Sequence, residues 1–375
     1  MHKLLLILAL IAPAARGQLR FANGDWLVSC DNTGTCRAAG YDGYDNEAYP
    51  APVSVLLTRA AGADSPVQGK INFRWPDWDY GGMPPIAVTI NGRDQGTVQP
   101  GNGGEAATLS EKQLAALLAA LQKENSIIHF TSVGRDWNYC CQAFPKNSDL
   151  THTFDGPHRW ELSLAGAQNV LTRMDAAQGR LGTTDALLLK NRGPLKTQVG
   201  PRPKPVIVAR PVADAEPEEL GPSYPHFAIL RRRLDPQGEC NELPDDINDS
   251  YSRWRTHLRV WNLDGEHRLV GMFCTLSAYN SSSSYGVFAR QLLQPYQLFD
   301  ADKYGFDGYL AGQLFSLKKG RGLGDCWSSK NYVWTGKKFV RAEVSDTGLC
   351  MGFTGGAWQM PTFVSEVKGL KEDKD

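Results

Sequence analysis

Eight cysteines constrain this chain of 375 residues more than any other feature of its sequence. Their number is even, as a framework of disulfides requires. Disulfides persist outside the cytosol, where the compartment is oxidising, and they are rare inside it. The cysteine content therefore predicts an exported protein whose fold is cross-linked by disulfides.

The amino terminus has the pattern of a secretory signal peptide. Met1–Lys3 is a short positive start, and Leu4–Ala12 is a continuous apolar run. Ala15 and Gly17 place small residues at the two positions that a signal peptidase reads. The apolar run is far shorter than the ~20 residues that a membrane span needs. We expect cleavage before Gln18, a periplasmic or secreted mature protein and no transmembrane segment.

The charges balance, with 40 basic and 40 acidic residues and an isoelectric point near 7.0. A nucleic-acid-binding protein usually carries a basic patch and a high isoelectric point. Apolar residues make up 42% of the chain, which is enough to exclude wholesale disorder. We therefore expect a globular protein that binds no nucleic acid, and we expect no cofactor.

Runs rich in β-branched and aromatic residues, bounded by turn residues, predict a mainly β fold of the β-rich α+β class. Cys30 and Cys36 flank a tight turn, which fits a cross-linked hairpin. The turn Asn91-Gly92 indicates a second hairpin. The strands expected elsewhere are Val53–Arg59, Lys70–Trp75, Ile86–Ile90, Ser126–Thr131, Trp160–Leu162, His257–Trp261, Arg268–Cys274, Tyr285–Ala289 and the two arms of Tyr332–Val344.

Helical patterns occur in the first half. Ser110 and Gln113 form a capping box, and leucines at helical spacing follow them, which predicts a helix from Glu111 to Lys123. A second helix is expected over Leu164–Gln178, because glycines follow it.

Length and composition predict two domains. Residues 1–17 are assigned to the signal peptide and residues 18–192 to a β-rich domain with two helices. Prolines punctuate residues 193–223, which predicts an extended, semi-rigid linker. Residues 224–368 form a second β domain, and residues 369–375 are a charged tail. Each domain is expected to be a β-sandwich or a partial barrel.

Two motifs of the second half resemble a known family. The first is Met272–Asn280 followed by a run of serines, and the second comprises Gly320–Cys326, Tyr332–Gly336, Cys350 and Trp358. Together they resemble the DUF1176 family of exported bacterial proteins. That resemblance implies a periplasmic or secreted protein whose cysteine pairs are structural, and it implies no catalytic residues. The N-terminal half weakly resembles invasion-associated locus B proteins, on Trp26–Cys36, Val53–Arg59 and the helix near Leu164.

Six cysteines are expected to form structural disulfides, with redox chemistry as the alternative. Cys326 and Cys350 bracket a hairpin, and Cys240 and Cys274 are the remaining pair in that half. The full connectivity stays open. The sequence has no Cys-x-x-Cys motif, which argues against a thioredoxin-like activity.

The adjacent pair Cys140-Cys141 has three interpretations. It can form a vicinal disulfide within its loop, which is the one we favour, or act as a redox sensor. It can also ligate a metal together with His152 and His158, but the spacing matches no standard metal template. We therefore expect no metal site.

Two further segments bear on function. Ser281–Ser284 has no nucleophile-elbow motif around it and is expected to be a polar loop between strands. Trp75, Trp78 and Tyr80 lie together in a segment rich in glycine and proline, and they form a candidate binding surface. The alternative for these aromatics is a loop folded over its own core.

The sequence thus favours a non-enzymatic, disulfide-stabilised envelope protein that binds a protein, a peptide or a glycan. A specific version, by analogy of fold style, is an inhibitor of a host or rival enzyme such as lysozyme. The alternative is a periplasmic enzyme, either a hydrolase or a redox protein that uses Cys140-Cys141.

Overall fold

The computed structural model describes residues 19–42, 52–63, 65–74, 83–101, 105–133, 157–188, 199–238, 240, 256–299 and 305–370. These residues form a mostly β protein with several antiparallel sheets, as the sequence predicts. None of the helices in this part of the chain is long and apolar enough to cross a bilayer. The predicted leader, the pair Cys140-Cys141 and the aromatics Trp75, Trp78 and Tyr80 lie outside the described residues.

A six-stranded antiparallel sheet lies at the centre of the N-terminal half. Its successive strands are β1 (Leu19–Asn23), β2 (Trp26–Cys30), β3 (Cys36–Tyr41), β4 (Val53–Arg59), β5 (Gln68–Phe73) and β8 (Ala107–Thr108). Side chains of a strand alternate between the two faces. In β2, Trp26 and Val28 enter the core of the N-terminal half, while Leu27 faces a separate apolar cluster. Both faces of the sheet are therefore covered.

A second sheet and two helices close the core of the N-terminal half. The sheet order is β10 (Arg159–Glu161), β9 (Ile128–Ser132), β6 (Ile86–Ile90) and β7 (Arg93–Val98). Asn91 and Gly92 have φ of 50° and 74°, as a two-residue hairpin turn with two left-handed positions requires. Helix α1 (Glu111–Ala120) begins at the predicted capping box of Ser110 and Gln113. Helix α2 (Ala167–Ala177) begins later than predicted, because Gly166 has a φ of 88°.

Two larger sheets and one helix make up most of the described C-terminal half. The five-stranded sheet contains β12 (Glu218–Leu220), β13 (Leu258–Asn262), β14 (His267–Leu276), β15 (Ser281–Ala289) and β16 (Pro295–Leu298). The four-stranded sheet contains β17 (Gly308–Leu310), β18 (Gln313–Lys319), β19 (Trp327–Trp334) and β20 (Phe339–Asp346). An aromatic-rich core that includes Phe306, Trp334 and Phe339 packs between them. Helix α3 (Phe227–Leu234), which the sequence did not predict, covers the other face of the five-stranded sheet.

The prediction that Ser281–Ser284 is a polar loop is wrong, because these serines form the first half of β15 and pair with β14. Ser283 and Ser284 are buried. The Ser284 hydroxyl lies within 2.7 Å of the Leu234 carbonyl oxygen and within 3.2 Å of that of Phe299. A serine inside a sheet avoids the cost of burial when its hydroxyl finds such partners. The connecting turn is only Ser277–Asn280.

Two strands lie within the proline-rich interval 193–223. One is β12, and the other is β11 (Val206–Val208), which pairs in parallel with β21 (Glu366–Lys368). Ile207 and Ala209 are buried against Val333 and Ala342 of the four-stranded sheet. The interval therefore contributes to sheets, and the domain boundaries stay a prediction.

Residues 347–364, here called the carboxy-terminal strap, cross the outer face of the six-stranded sheet. Trp358, Phe353 and Met360 of the strap pack against Leu27 and Leu56. The last strap residue, Val364, makes two hydrogen bonds with the Asn32 side chain, of 3.0 and 2.7 Å. The strap thus joins the two halves of the chain through apolar packing and specific hydrogen bonds.

Candidate functional site

Six cysteines form three disulfides, Cys30–Cys36, Cys240–Cys274 and Cys326–Cys350. Their sulfur atoms are bonded to one another, so none of the six offers a thiol for redox chemistry or a thiolate for a metal. Asp325 lies beside the third disulfide, with ligand atoms of all three residues within 4.8 Å. That cluster has a structural role, because the two cysteines are bonded to each other and the carboxylate accepts hydrogen bonds from Arg321 and Gly352.

The structure brings the two family motifs of the C-terminal half together. The turn Ser277–Asn280 follows β14, and the loop Gly320–Cys326 connects β18 to β19. The surface formed by the exposed residues Leu276, Tyr279, Gly322 and Leu323, together with the half-buried Lys319, is called here the signature-loop surface. Both motifs carry the family resemblance, but their sequence alone predicts no site, because their contact depends on how the two sheets pack.

The Asn280 side chain joins the two loops. Its Nδ2 donates to the Lys319 carbonyl oxygen at 2.9 Å, and the Lys319 N–H donates to its Oδ1 at 2.8 Å. The amide thus pairs with the edge of β18 as a further strand residue would. The Tyr279 ring lies over Gly322, where an added Cβ would be 3.5 Å from the ring. The two loops therefore hold a fixed position relative to each other.

Asp325 fixes the second loop from within. Its side chain is 0% exposed and accepts two hydrogen bonds from Arg321, at 2.8 and 2.6 Å. It also accepts the Gly352 N–H of the strap at 2.7 Å. Burial raises the pKa of the Asp325 carboxyl, but the Arg321 guanidinium and these N–H donors outweigh it and hold the pKa below its ordinary value. The carboxylate is a structural anchor and is not poised to transfer protons.

The backbone of the second loop is tied to its surroundings at Gly324. Its carbonyl oxygen accepts the Trp327 indole N–H at 2.8 Å and the Gly355 N–H of the strap at 2.8 Å. The Lys319 ammonium lies 5.1 Å from the centre of the Trp327 ring, a cation–π contact. The disulfide Cys326–Cys350 closes the same region, where Gly320 leaves room for both sulfur atoms.

Large apolar side chains remain exposed on this fixed framework. Leu276, Tyr279 and Leu323 are 48%, 47% and 39% exposed. Exposed apolar clusters on a soluble protein mark sites of interaction. Tyrosine is also among the residues that dominate binding energies at interfaces. The surface is therefore suited to bind a partner and, within the described residues, presents no activated nucleophile or acid–base pair.

Removing the third disulfide is expected to destabilise the protein by about 3 kcal/mol, since it closes a loop of 24 residues. The double variant Cys326→Ser/Cys350→Ser should unfold at a lower urea concentration than the unchanged oxidised protein. Dithiothreitol reduces the disulfides of both proteins, so in its presence the two should unfold at similar urea concentrations. An unchanged urea midpoint in the variant would contradict a stabilising role.

The comparisons with known proteins concern the whole of this architecture. A family model described as "Protein of unknown function (DUF1176)" matches residues 20–365. No curated protein and no solved structure matches the chain. The matched residues run from the first strand of the six-stranded sheet to the end of the strap and include both loops of the signature-loop surface. The chain therefore belongs to the DUF1176 family.

Proposed function

We propose that this chain is an exported, non-enzymatic protein that binds a protein or peptide partner through the signature-loop surface. The observation that carries the proposal is the exposure of Leu276 at the end of β14, and of Tyr279 and Leu323 on loops whose backbone is fixed. A preorganised surface loses little conformational freedom on binding, so more of the contact energy contributes to affinity. The family membership adds no reaction to this interpretation.

The form of the surface favours a macromolecular partner. Its apolar side chains stand at the end of β14 and on the loops that follow β14 and β18, and the contacts at Asn280 and Asp325 hold those loops in place. A protein or peptide can cover such a surface. Lys319, which stacks on Trp327, adds a positive charge at its margin and favours an acidic group nearby on the partner.

Export is part of the proposal and rests on the leader pattern and on the disulfides. We expect the mature chain to begin at Gln18 in the periplasmic or secreted fraction. Amino-terminal sequencing of that fraction tests this directly. A chain that retains Met1 in the cytosol would contradict it. The resemblance of the N-terminal half to invasion-associated locus B proteins likewise stays a prediction.

Site-specific photo-crosslinking tests the binding surface. A photoreactive phenylalanine analogue at position 279 should give discrete cross-linked species in cells that export the protein. Tyr296, which is 58% exposed on β16 in the same half, provides the matched control position. Equal cross-linking at both positions, or none at position 279, would contradict the proposal.

A second readout uses an alanine substitution. Tyr279→Ala should change the free energy of unfolding by less than about 0.5 kcal/mol, because the side chain is half exposed. In a protein that carries the photoreactive analogue at position 323, Tyr279→Ala should nevertheless abolish the cross-linked species that forms when Tyr279 is present. Retained capture would show that the tyrosine does not contribute to binding.

A further inference from the structure

Strand β11 lies next to the four-stranded sheet, and its ladder partner among the described residues is β21. The Arg210 N–H, which follows the strand, donates to the Trp334 carbonyl oxygen of β19 at 2.8 Å. A free strand edge presents unpaired backbone groups that can bind another extended chain. The side chains of β11 are unusual for a solvent-facing edge, because Val206 and Val208 are 54% and 66% exposed.

The hydrogen bonds between β11 and β21 show which groups stay available. The Glu366 N–H donates to the Pro205 carbonyl oxygen at 2.9 Å, and the Ala209 N–H donates to that of Lys368 at 2.8 Å. Backbone groups of alternate residues in a strand point to the same side, so the N–H and C=O groups of Ile207 also point to β21. The N–H and C=O groups of Val206 and Val208 therefore point to the opposite edge, where no described residue pairs with them. This unpaired stretch ends at Arg210, whose N–H on the same side bonds to Trp334.

Two other strands of the C-terminal half carry blocked edge positions among the described residues. On β18, the Leu317 N–H donates to the Asp307 carboxylate, and Lys319 is paired with the Asn280 amide. On β16, Pro295 lacks an N–H. Natural sheets block their edges in these ways to prevent unwanted pairing. Strand β11 is itself short and follows Pro205, but the N–H and C=O groups of Val206 and Val208 carry no such block among the described residues.

Cations flank the two valines. Lys204 and Arg210 lie at alternate positions on either side of Val206 and Val208, so all four occupy the exposed face of the strand. Arg210 packs against Gly336, whose added Cβ would be 3.0 Å from the arginine Cδ. Neither cation has a carboxylate partner among the described residues.

Further positive charge extends this feature. Arg202 precedes the strand, and Lys337 and Lys338 follow Gly336 in the adjacent turn; all three are exposed. The one carboxylate on the paired strand, Glu366, is engaged with Lys368 at 3.3 Å. The edge is therefore apolar at its centre and basic at both ends.

We propose that the free edge of β11 is a docking site for an extended peptide segment with an apolar centre and acidic ends, which adds to β21 and β11 as a third strand. Backbone hydrogen bonds to Val206 and Val208 would supply affinity, and the cations would supply specificity. This site is separate from the signature-loop surface and does not rest on the function proposed for it.

The charges argue against a second copy of this chain as the occupant. Antiparallel pairing of two β11 strands about a twofold axis at Ile207 would place Lys204 of each copy opposite Arg210 of the other. Like charges directly opposite each other destabilise a sheet. An acidic peptide meets the same two positions favourably.

A fluorescein-labelled nonapeptide tests the proposal on the full mature protein. Its centre alternates valine and threonine, and each end carries two glutamates; a matched peptide replaces the glutamates with lysines. Fluorescence polarisation should show saturable binding of the acidic peptide and binding at least about tenfold weaker of the basic one. Amide hydrogen exchange at Val206 and Val208 should slow when the acidic peptide is bound.

Two variants at one position separate the backbone edge from the rest of the protein. Val208→Pro removes an N–H that faces the edge and leaves the bonds to β21 intact, so binding should weaken about tenfold. Val208→Thr retains the N–H and should bind as the unchanged protein does. Both variants should unfold at the same temperature as the unchanged protein, which shows that the fold is retained.

Several outcomes would overturn the proposal. They are equal binding of the acidic and basic peptides, no saturable binding of either, and unchanged binding by Val208→Pro. Concentration-dependent dimerisation that Val208→Pro abolishes would assign the edge to a second copy instead.

Discussion

Replacing Trp358 by alanine is expected to lower the free energy of unfolding by about 3–5 kcal/mol. The indole is 9% exposed and packs in the apolar cluster between the carboxy-terminal strap and the six-stranded sheet. Its N–H donates to the Ser54 hydroxyl at 2.7 Å, so the substitution also removes a buried hydrogen bond. Urea unfolding followed by circular dichroism measures the loss.

Two substitutions control for this effect. Trp358→Phe retains most of the apolar volume and loses the hydrogen bond, so a smaller loss of about 1–2 kcal/mol is expected. Leu310→Ala removes a side chain that is 50% exposed and should cost less than about 0.5 kcal/mol. If Trp358→Ala unfolded at the same urea concentration as Leu310→Ala, the strap would not be stabilising the two halves.

Arg321→Ala is expected to destabilise the protein by about 3–5 kcal/mol at neutral pH. The loss comes from the carboxylate left behind, because Asp325 is fully buried and loses two hydrogen bonds from the guanidinium. The double variant Arg321→Ala/Asp325→Ala should be more stable than Arg321→Ala alone, because it buries no unpaired charge. Chemical denaturation of the three proteins at pH 7 makes the comparison.

The pH dependence of the same variants has a defined sign. In the unchanged protein the depressed pKa of Asp325 contributes stability above the unfolded pKa of about 3.9, and this contribution is lost as pH falls through the lower folded pKa. Removing Arg321 removes the largest effect that lowers the pKa of Asp325, so the folded pKa rises in the variant and protonation costs it less than it costs the unchanged protein. The difference in free energy of unfolding between the unchanged protein and Arg321→Ala should therefore become smaller from pH 7 towards pH 4. A difference that stays constant over this range would contradict the assignment.

The sequence predicted elements whose determinants are local. The turn Asn91-Gly92 and the capping box of Ser110 and Gln113 appear as predicted, because neighbouring residues alone determine them. The strands Val53–Arg59 and Ile86–Ile90 have the predicted bounds. Their composition suits a buried strand whichever sheet they join.

The errors arose where distant contacts determine the structure. Ser283 and Ser284 look like loop residues, yet Ser284 lies within hydrogen-bond distance of carbonyls that α3 and a residue after β16 supply. Helix α3 itself was missed because its three consecutive arginines obscure the apolar positions Phe227, Leu230 and Leu234.

The candidate site depended on distant contacts in the same way. Asn280 and Asp325 stand in motifs that the sequence analysis quoted, but their partners come from other elements. The local signals available were an asparagine that ends a turn and an arginine four residues before an aspartate in a glycine-rich loop. These signals indicate possible bonds without naming the surface that the bonds create.

The carboxy-terminal strap has a consequence for the order in which the protein matures. The ribosome makes residues 347–364 after all strands of the six-stranded sheet, so Leu27, Ala39 and Leu56 have no cover on that face until the strap has been made. A product that stops before Trp358 would leave this apolar face of the sheet exposed and would be a substrate for chaperones and proteases. The disulfide Cys326–Cys350 likewise needs a residue of the strap, so its formation shows that the strap has been made.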